Sequence, residues 1–132
     1  MKKLNKKGFT LVELLAVIVI LALLIVVVAT TVLPAMNNAK KSALKTYADR
    51  VKQNAIQLCM TKDINEGLTD SKCTFDALSD IMGSDVDDTY TVTQAIVVTK
   101  EGNSFKVTDG SLKDKDDNSG TYSDNKFTLA SE

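Results

Sequence analysis

Apolar and polar positions divide this chain near residue 34. From Leu14 to Ala29 every residue is apolar, and over the 25 residues from Phe9 to Leu33 the only charge is Glu13. As a helix that stretch extends about 37 Å, more than the roughly 30 Å of a bilayer's hydrocarbon core. Past Pro34 the apolar run stops but the helical period persists. Leu44, Tyr47, Ala48, Val51, Ala55 and Leu58 recur at i, i+3, i+4 spacing among Lys40, Lys41, Lys45, Asp49 and Lys52. The pattern predicts one helix running to about Met60. Its first half suits lipid or a bundle core, and its second half packs against a small head of its own chain. Met36, Ala39 and Ala43 suit close helix packing.

Residues 63–89 are mixed, with "FDALSDIMG" (Phe75 to Gly83) predicting a short helix closed by Gly83. From Tyr90 the alternation is strand-like. "YTVTQAIVVTK" and "SFKVTDG" flank Glu101, Gly102 and Asn103, which predicts a hairpin, and "KFTLA" adds a further strand. The expected fold class is α+β: a long N-terminal helix, transmembrane then amphipathic, against a three- or four-stranded antiparallel sheet. The 70 residues from 63 to 132 hold few large apolar groups. So small a head cannot close a core alone, and the helix face must complete it.

Charge sharpens the division. Residues 1–62 carry ten Lys and Arg against Glu13 and Asp49, whereas residues 63–132 carry six Lys against fifteen Asp and Glu. No basic patch remains in the part that folds as a head, so no direct nucleic-acid binding is predicted. The chain has neither His nor Trp. It offers no nucleophile–base pair, no phosphate loop and no second paired carboxylate, and an enzyme is not expected.

Lys2, Lys3, Lys6 and Lys7 precede the apolar run, which keeps the N-terminus in the cytoplasm and exports the rest. Lys40, Lys41 and Lys45 on the far side weaken this asymmetry without cancelling it. A secretory signal ending at "VVA" (Ala29) is one reading, but the apolar core exceeds the usual 7–15 residues and holds a carboxylate. A plain anchor accounts for the length and leaves Glu13 without a purpose. Ionisable groups are costly in hydrocarbon and persist there when paired or functional.

The stretch "KKGFTLVELL" resembles the processing signal of type IV pilins and their relatives, the type II secretion pseudopilins and competence pilins. The resemblance covers about the first quarter of the chain, and the remainder is similar only in layout. It implies that a prepilin peptidase cuts between Gly8 and Phe9 and methylates the new amine. It also implies that Glu13 pairs with the N-terminal amine of a neighbouring subunit in a growing fibre. Gly8 presents no side chain to the protease. Phe9 and Glu13, four apart, share a helix face, and a carboxylate there meets the positive end of the helix dipole.

The implied division is a leader at 1–8, a transmembrane and filament-core helix at 9–35, an amphipathic half at 36–62 and a pilin-like head at 63–132. Implied partners are copies of the chain in a helical filament, the peptidase, an assembly platform protein and its ATPase. The chain would lie in the cytoplasmic membrane first and in a cell-surface filament afterwards. Pro34 departs from the family, whose helix-breaking proline usually stands where this chain has Thr30. Pro34 deprives the Thr30 carbonyl of its helical donor, and "IVVVATTVL" before it is mostly β-branched. The segment is expected to stay helical in lipid and to melt in a filament at or just before Pro34.

In an exported head, Cys59 and Cys73 are expected to form a disulfide. No cofactor is expected. Asp114, Asp116 and Asn118 alternate as calcium ligands do in an EF-hand, and some pseudopilins carry calcium in their sheet region. However, Ser119 and Asn125 stand where that loop requires Gly and Glu, so a solvated acidic loop is the favoured account. The leading function is a structural filament subunit. Its alternatives are a pseudopilin, a competence pilin, and a signal-anchored extracytoplasmic binding protein.

Overall fold

The computed structural model describes Gly8 and residues 10–130. Helix α1 (Leu11–Glu66) is followed by β1 (Lys72–Phe75), α2 (Leu78–Met82), a 3-10 turn (Gly83–Asp85), β2 (Tyr90–Glu101), β3 (Ser104–Asp114), β4 (Ser119–Ser123) and β5 (Lys126–Leu129). The chain divides into two compact units between Asn38 and Ala39.

In the first unit the apolar side chains of α1 from Leu11 to Leu33 are exposed and bury nothing. Such a surface is unusual for a soluble monomer and demands a cover from outside the chain. Helical structure continues through Pro34. Just before it, the Thr30 and Thr31 hydroxyls each donate to the Val27 carbonyl at 3.0 Å. Each hydroxyl is thereby satisfied within its own helix.

In the second unit α1 buries Leu44, Tyr47, Ala48, Val51, Ala55 and Cys59. This is the predicted stripe with one change: Leu58 is 40% exposed and Cys59 takes the buried place. The stripe advances by four residues from Val51 to Ala55 and again to Cys59, as a 3.6-residue period requires at intervals. The helix also runs six residues past Met60. Asp63 accepts from the Lys100 ammonium of β2 at 2.6 Å, tying the last turns down. Gly67, at φ 70°, then closes the helix by donating its N–H to the Asp63 carbonyl at 3.1 Å. A left-handed residue past the helix end is a role glycine fills without strain.

The sheet has five strands, every neighbouring pair antiparallel, in the order β1-β2-β3-β4-β5. The sequence pattern led to three or four. The strands it missed are short and largely polar, KCTF in β1 and SGTYS in β4, too brief to show alternation. The hairpin β2–β3 forms around Gly102 and Asn103, as expected. Ile96, Val98, Val107, Leu112, Tyr122 and Phe127 face α1, and Leu78, Ile81 and Met82 of α2 complete one core. At Gly120 an added Cβ would fall 2.4 Å from the Phe127 ring, so only glycine lets β5 close over β4.

Two contacts hold the helix to the far strands, one of them from the Lys52 ammonium to the Asn125 carbonyl at 3.3 Å. The Tyr122 hydroxyl donates to the Ala48 carbonyl at 2.6 Å. Asp124 and Asn125, both at positive φ, turn β4 into β5. The Asn125 N–H donates to the Val107 carbonyl at 2.7 Å, and its side-chain oxygen accepts from the Val107 N–H at 3.4 Å. The hairpin tip therefore stands in for a missing piece of strand beside β3.

Candidate functional site

The start of α1 is built from Thr10 and Glu13. The Thr10 N–H donates to Glu13 Oε2 at 2.9 Å, and the Glu13 N–H donates to Thr10 Oγ1 at 3.3 Å. This is a reciprocal capping box, satisfying donors that a helix start otherwise leaves open. The T-x-x-E signal is legible in "TLVE", yet the reading of Glu13 as an assembly charge passed over it. The cap holds the carboxylate against the Thr10 N–H. Its other oxygen, Oε1, has no partner among the described residues.

Phe9, expected to share a face with Glu13, lies outside the described residues. At Gly8 an added Cβ would meet no atom within 4 Å. Packing among the described residues does not call for glycine there.

Cys59 and Cys73 are brought together, bonded with a Cα–Cα separation of 5.8 Å and buried in the core. The bond joins the last turns of α1 to edge strand β1. It closes a loop of about 15 residues, worth about 3 kcal/mol in the chain-entropy view.

Asp114, Asp116 and Asn118 also meet, in the β3–β4 turn. Asp114 Oδ1 accepts from the N–H groups of Asp116 and Asn118, each at 2.9 Å, and Oδ2 accepts from Asn118 Nδ2 at 2.8 Å. Asp114 and Asn118 are buried, and Asp116 reaches out to Lys40 at 3.0 Å. Asp114 thus organises its own turn, with Asn118 presenting its amide nitrogen inward. Among the described residues no three His, Cys, Asp or Glu side chains gather in a metal-holding group.

The electrostatics follow from these pairs. The Lys100 hydrogen bond holds the Asp63 carboxyl below the usual range. Hydrogen bonding from Lys106 to Glu101 raises the Lys106 ammonium. Burial, then the Asp49 charge, pushes the Tyr122 phenol far above its ordinary value. All of these groups tie strands or helix together, and none lines a cleft with a nucleophile.

Among the described residues α1 is the one helix long and apolar enough to cross a membrane. Residues 3–29 match the prokaryotic N-terminal methylation motif, which spans Gly8, Thr10, Glu13 and most of the apolar run. No curated protein and no solved structure matches the chain.

Proposed function

From the premise that residues 3–29 form a type IV prepilin-like signal, we propose that the chain is a structural subunit of a type IV pilus or closely related filament. The methylation motif, coincident with an exposed apolar helix, is the observation that carries this reading. The precursor sits in the cytoplasmic membrane through the first half of α1, with its basic leader in the cytoplasm and its head outside. A prepilin peptidase cuts the Gly8–Phe9 bond and methylates the Phe9 amine. Removing four lysines changes the formal net charge from −1 to −5 and leaves one positive terminus at the helix start.

Glu13 then acts as an assembly register. Its carboxylate is already oriented by the Thr10 cap, with one oxygen open to a cation. An unpaired charge is costly in hydrocarbon, so an entering subunit whose amine meets the Glu13 of its neighbour gains most in that register. The exposed apolar face of α1 would exchange lipid for other copies of the same helix. The chain is read as non-enzymatic, its work being polymerisation driven by an assembly platform and its ATPase.

N-terminal sequencing and mass spectrometry of the mature protein test this. A start at methylated Phe9 supports it. A start at Thr30, or an uncut Met1, overturns it in favour of an ordinary secretory signal or a plain anchor.

A further inference from the structure

Strand β2 is 12 residues long, but β1 covers only part of it, pairing Lys72–Phe75 with Ile96–Thr99. From Tyr90 to Ala95 no strand lies on that side among the described residues. A groove of about 300 Å³ lies there, lined by Asp76, Leu78, Val86, Tyr90, Thr91 and Val92. At the end of the sheet opposite β1, β5 pairs with β4 alone. Bare strand edges present N–H and C=O groups without ladder partners and act as templates for another strand.

These two edges match in charge. From Cys73 to Thr99 the chain holds five Asp and neither Lys nor Arg. None of the five forms a salt bridge among the described residues. On β5, Lys126 is exposed and also has no salt bridge among the described residues. Asp124, the acid of the preceding turn, is engaged by Lys106 at 3.8 Å. The edges match in direction as well. Three antiparallel steps separate β2 from β5, so the two strands run in opposite senses. Copies set side by side in one orientation would therefore meet at these edges as an antiparallel pair.

We propose that the open half of β2 receives β5 of a second copy, continuing the sheet from head to head, with Lys126 of that copy beside Asp76. The inference rests on the reading of the chain as a filament subunit. Main-chain hydrogen bonds hold an added strand, and side chains along the groove select it. Phe75 pairs with Ile96, so Asp76 follows at the Ala95 end of the opening. An antiparallel β5 begins at that end, which brings Lys126 to Asp76. The four residues of β5 extend about 13 Å, within the roughly 20 Å of the open stretch of β2. One edge of each copy joins the other edge of the next. That is a head-to-tail contact, which builds an open helical filament wherever it does not close into a ring. The opposed charges steer the encounter and fix its register.

The test places photoreactive benzoylphenylalanine at position 91 of the full-length chain (Thr91→benzoylphenylalanine), in membranes and in sheared filaments. Irradiation should give a crosslinked dimer, and mass spectrometry should find residue 91 joined to residues 126–130 of the second copy. In that background Lys126→Glu or Asp76→Lys alone should lower the dimer yield about fivefold, and the two together should restore it. A chain that had merely misfolded would not be rescued by a second charge reversal. Junctions only at other segments, or no dimer in either fraction, would overturn the edge pairing. Unchanged yield in both single variants, or no rescue in the double, would overturn the match of Lys126 to Asp76. Failure of the filament reading is seen separately, as absence of filaments from the parent. A membrane dimer joined from 91 to 126–130 would then still support the pairing, and its absence would overturn it.

Discussion

Glu13 has two physical roles at the residue scale, and they can be separated. It caps α1 through Oε2, and it carries the one charge of the apolar run. Glutamine can fill the capping box as glutamate does, but it brings no charge. Glu13→Val should leave membrane insertion and cleavage intact while filament yield falls at least tenfold, because the neighbouring amine loses its counter-ion. Glu13→Gln should fail alike if the charge matters, and should restore filaments if the cap alone matters. Electron microscopy of sheared filaments reads both variants, and normal filaments from Glu13→Val would exclude the assembly role. Gly8 acts earlier. Gly8→Leu should leave the fold unaltered, since no described atom lies near its Cβ position, and uncut precursor should accumulate on immunoblots of membranes.

Helix α1 concentrates the risk at the scale of elements. Pro34 takes one hydrogen bond out of its ladder, and the β-branched residues before it are weak helix formers. In lipid the backbone has no alternative partner, so the helix persists. In a filament, neighbouring copies and trapped water can satisfy freed groups, and a non-helical stretch should end at or just before Pro34. A filament map with unbroken helical hydrogen bonding from Phe9 through Met60 would refute this. At the other end of α1 the disulfide secures β1, a strand of four residues on the sheet edge. Cys73→Ser should lower the Tm of full-length protein in detergent micelles by on the order of 10 °C. Alkylation of unreduced filaments should find no free thiol.

The head coheres at the scale of the whole molecule because α1 lends it a face. Tyr122 crosses that junction with its hydroxyl on Ala48, and burial keeps the phenol protonated well above its ordinary value of 10.0. In the unfolded chain the same phenol ionises near pH 10. The folded state therefore holds its proton longer, and stability present below about pH 10 drains as pH rises past it. Thermal melts of the full-length protein should be level from about pH 7 to 9 and fall above 10. Tyr122→Phe should start lower, by about 1 kcal/mol for the lost hydrogen bond, and fall less steeply. A variant with the same alkaline slope as the parent would remove Tyr122 as the cause.

Period and composition alone determined the long helix, its apolar half, its buried stripe and the β2–β3 hairpin. Each is a local pattern: a run, a 3.6-residue recurrence, or an alternation around Gly102. The N-terminal methylation motif was equally legible, because it is a linear string of residues. What the tertiary structure decided lies where distant residues satisfy one another. Strands β1 and β4 exist because a disulfide and a neighbouring strand supply what their short, polar sequences lack. Helix α1 reaches Glu66 because Lys100, far along the chain, anchors Asp63. Asp114, Asp116 and Asn118, which alternate in the sequence, are joined by hydrogen bonds to the Asp114 carboxylate within one turn. Linear spacing shows which groups carry oxygen and charge. Only the folded backbone shows which of them are already hydrogen-bonded, because buried polar groups must find partners wherever the chain brings them.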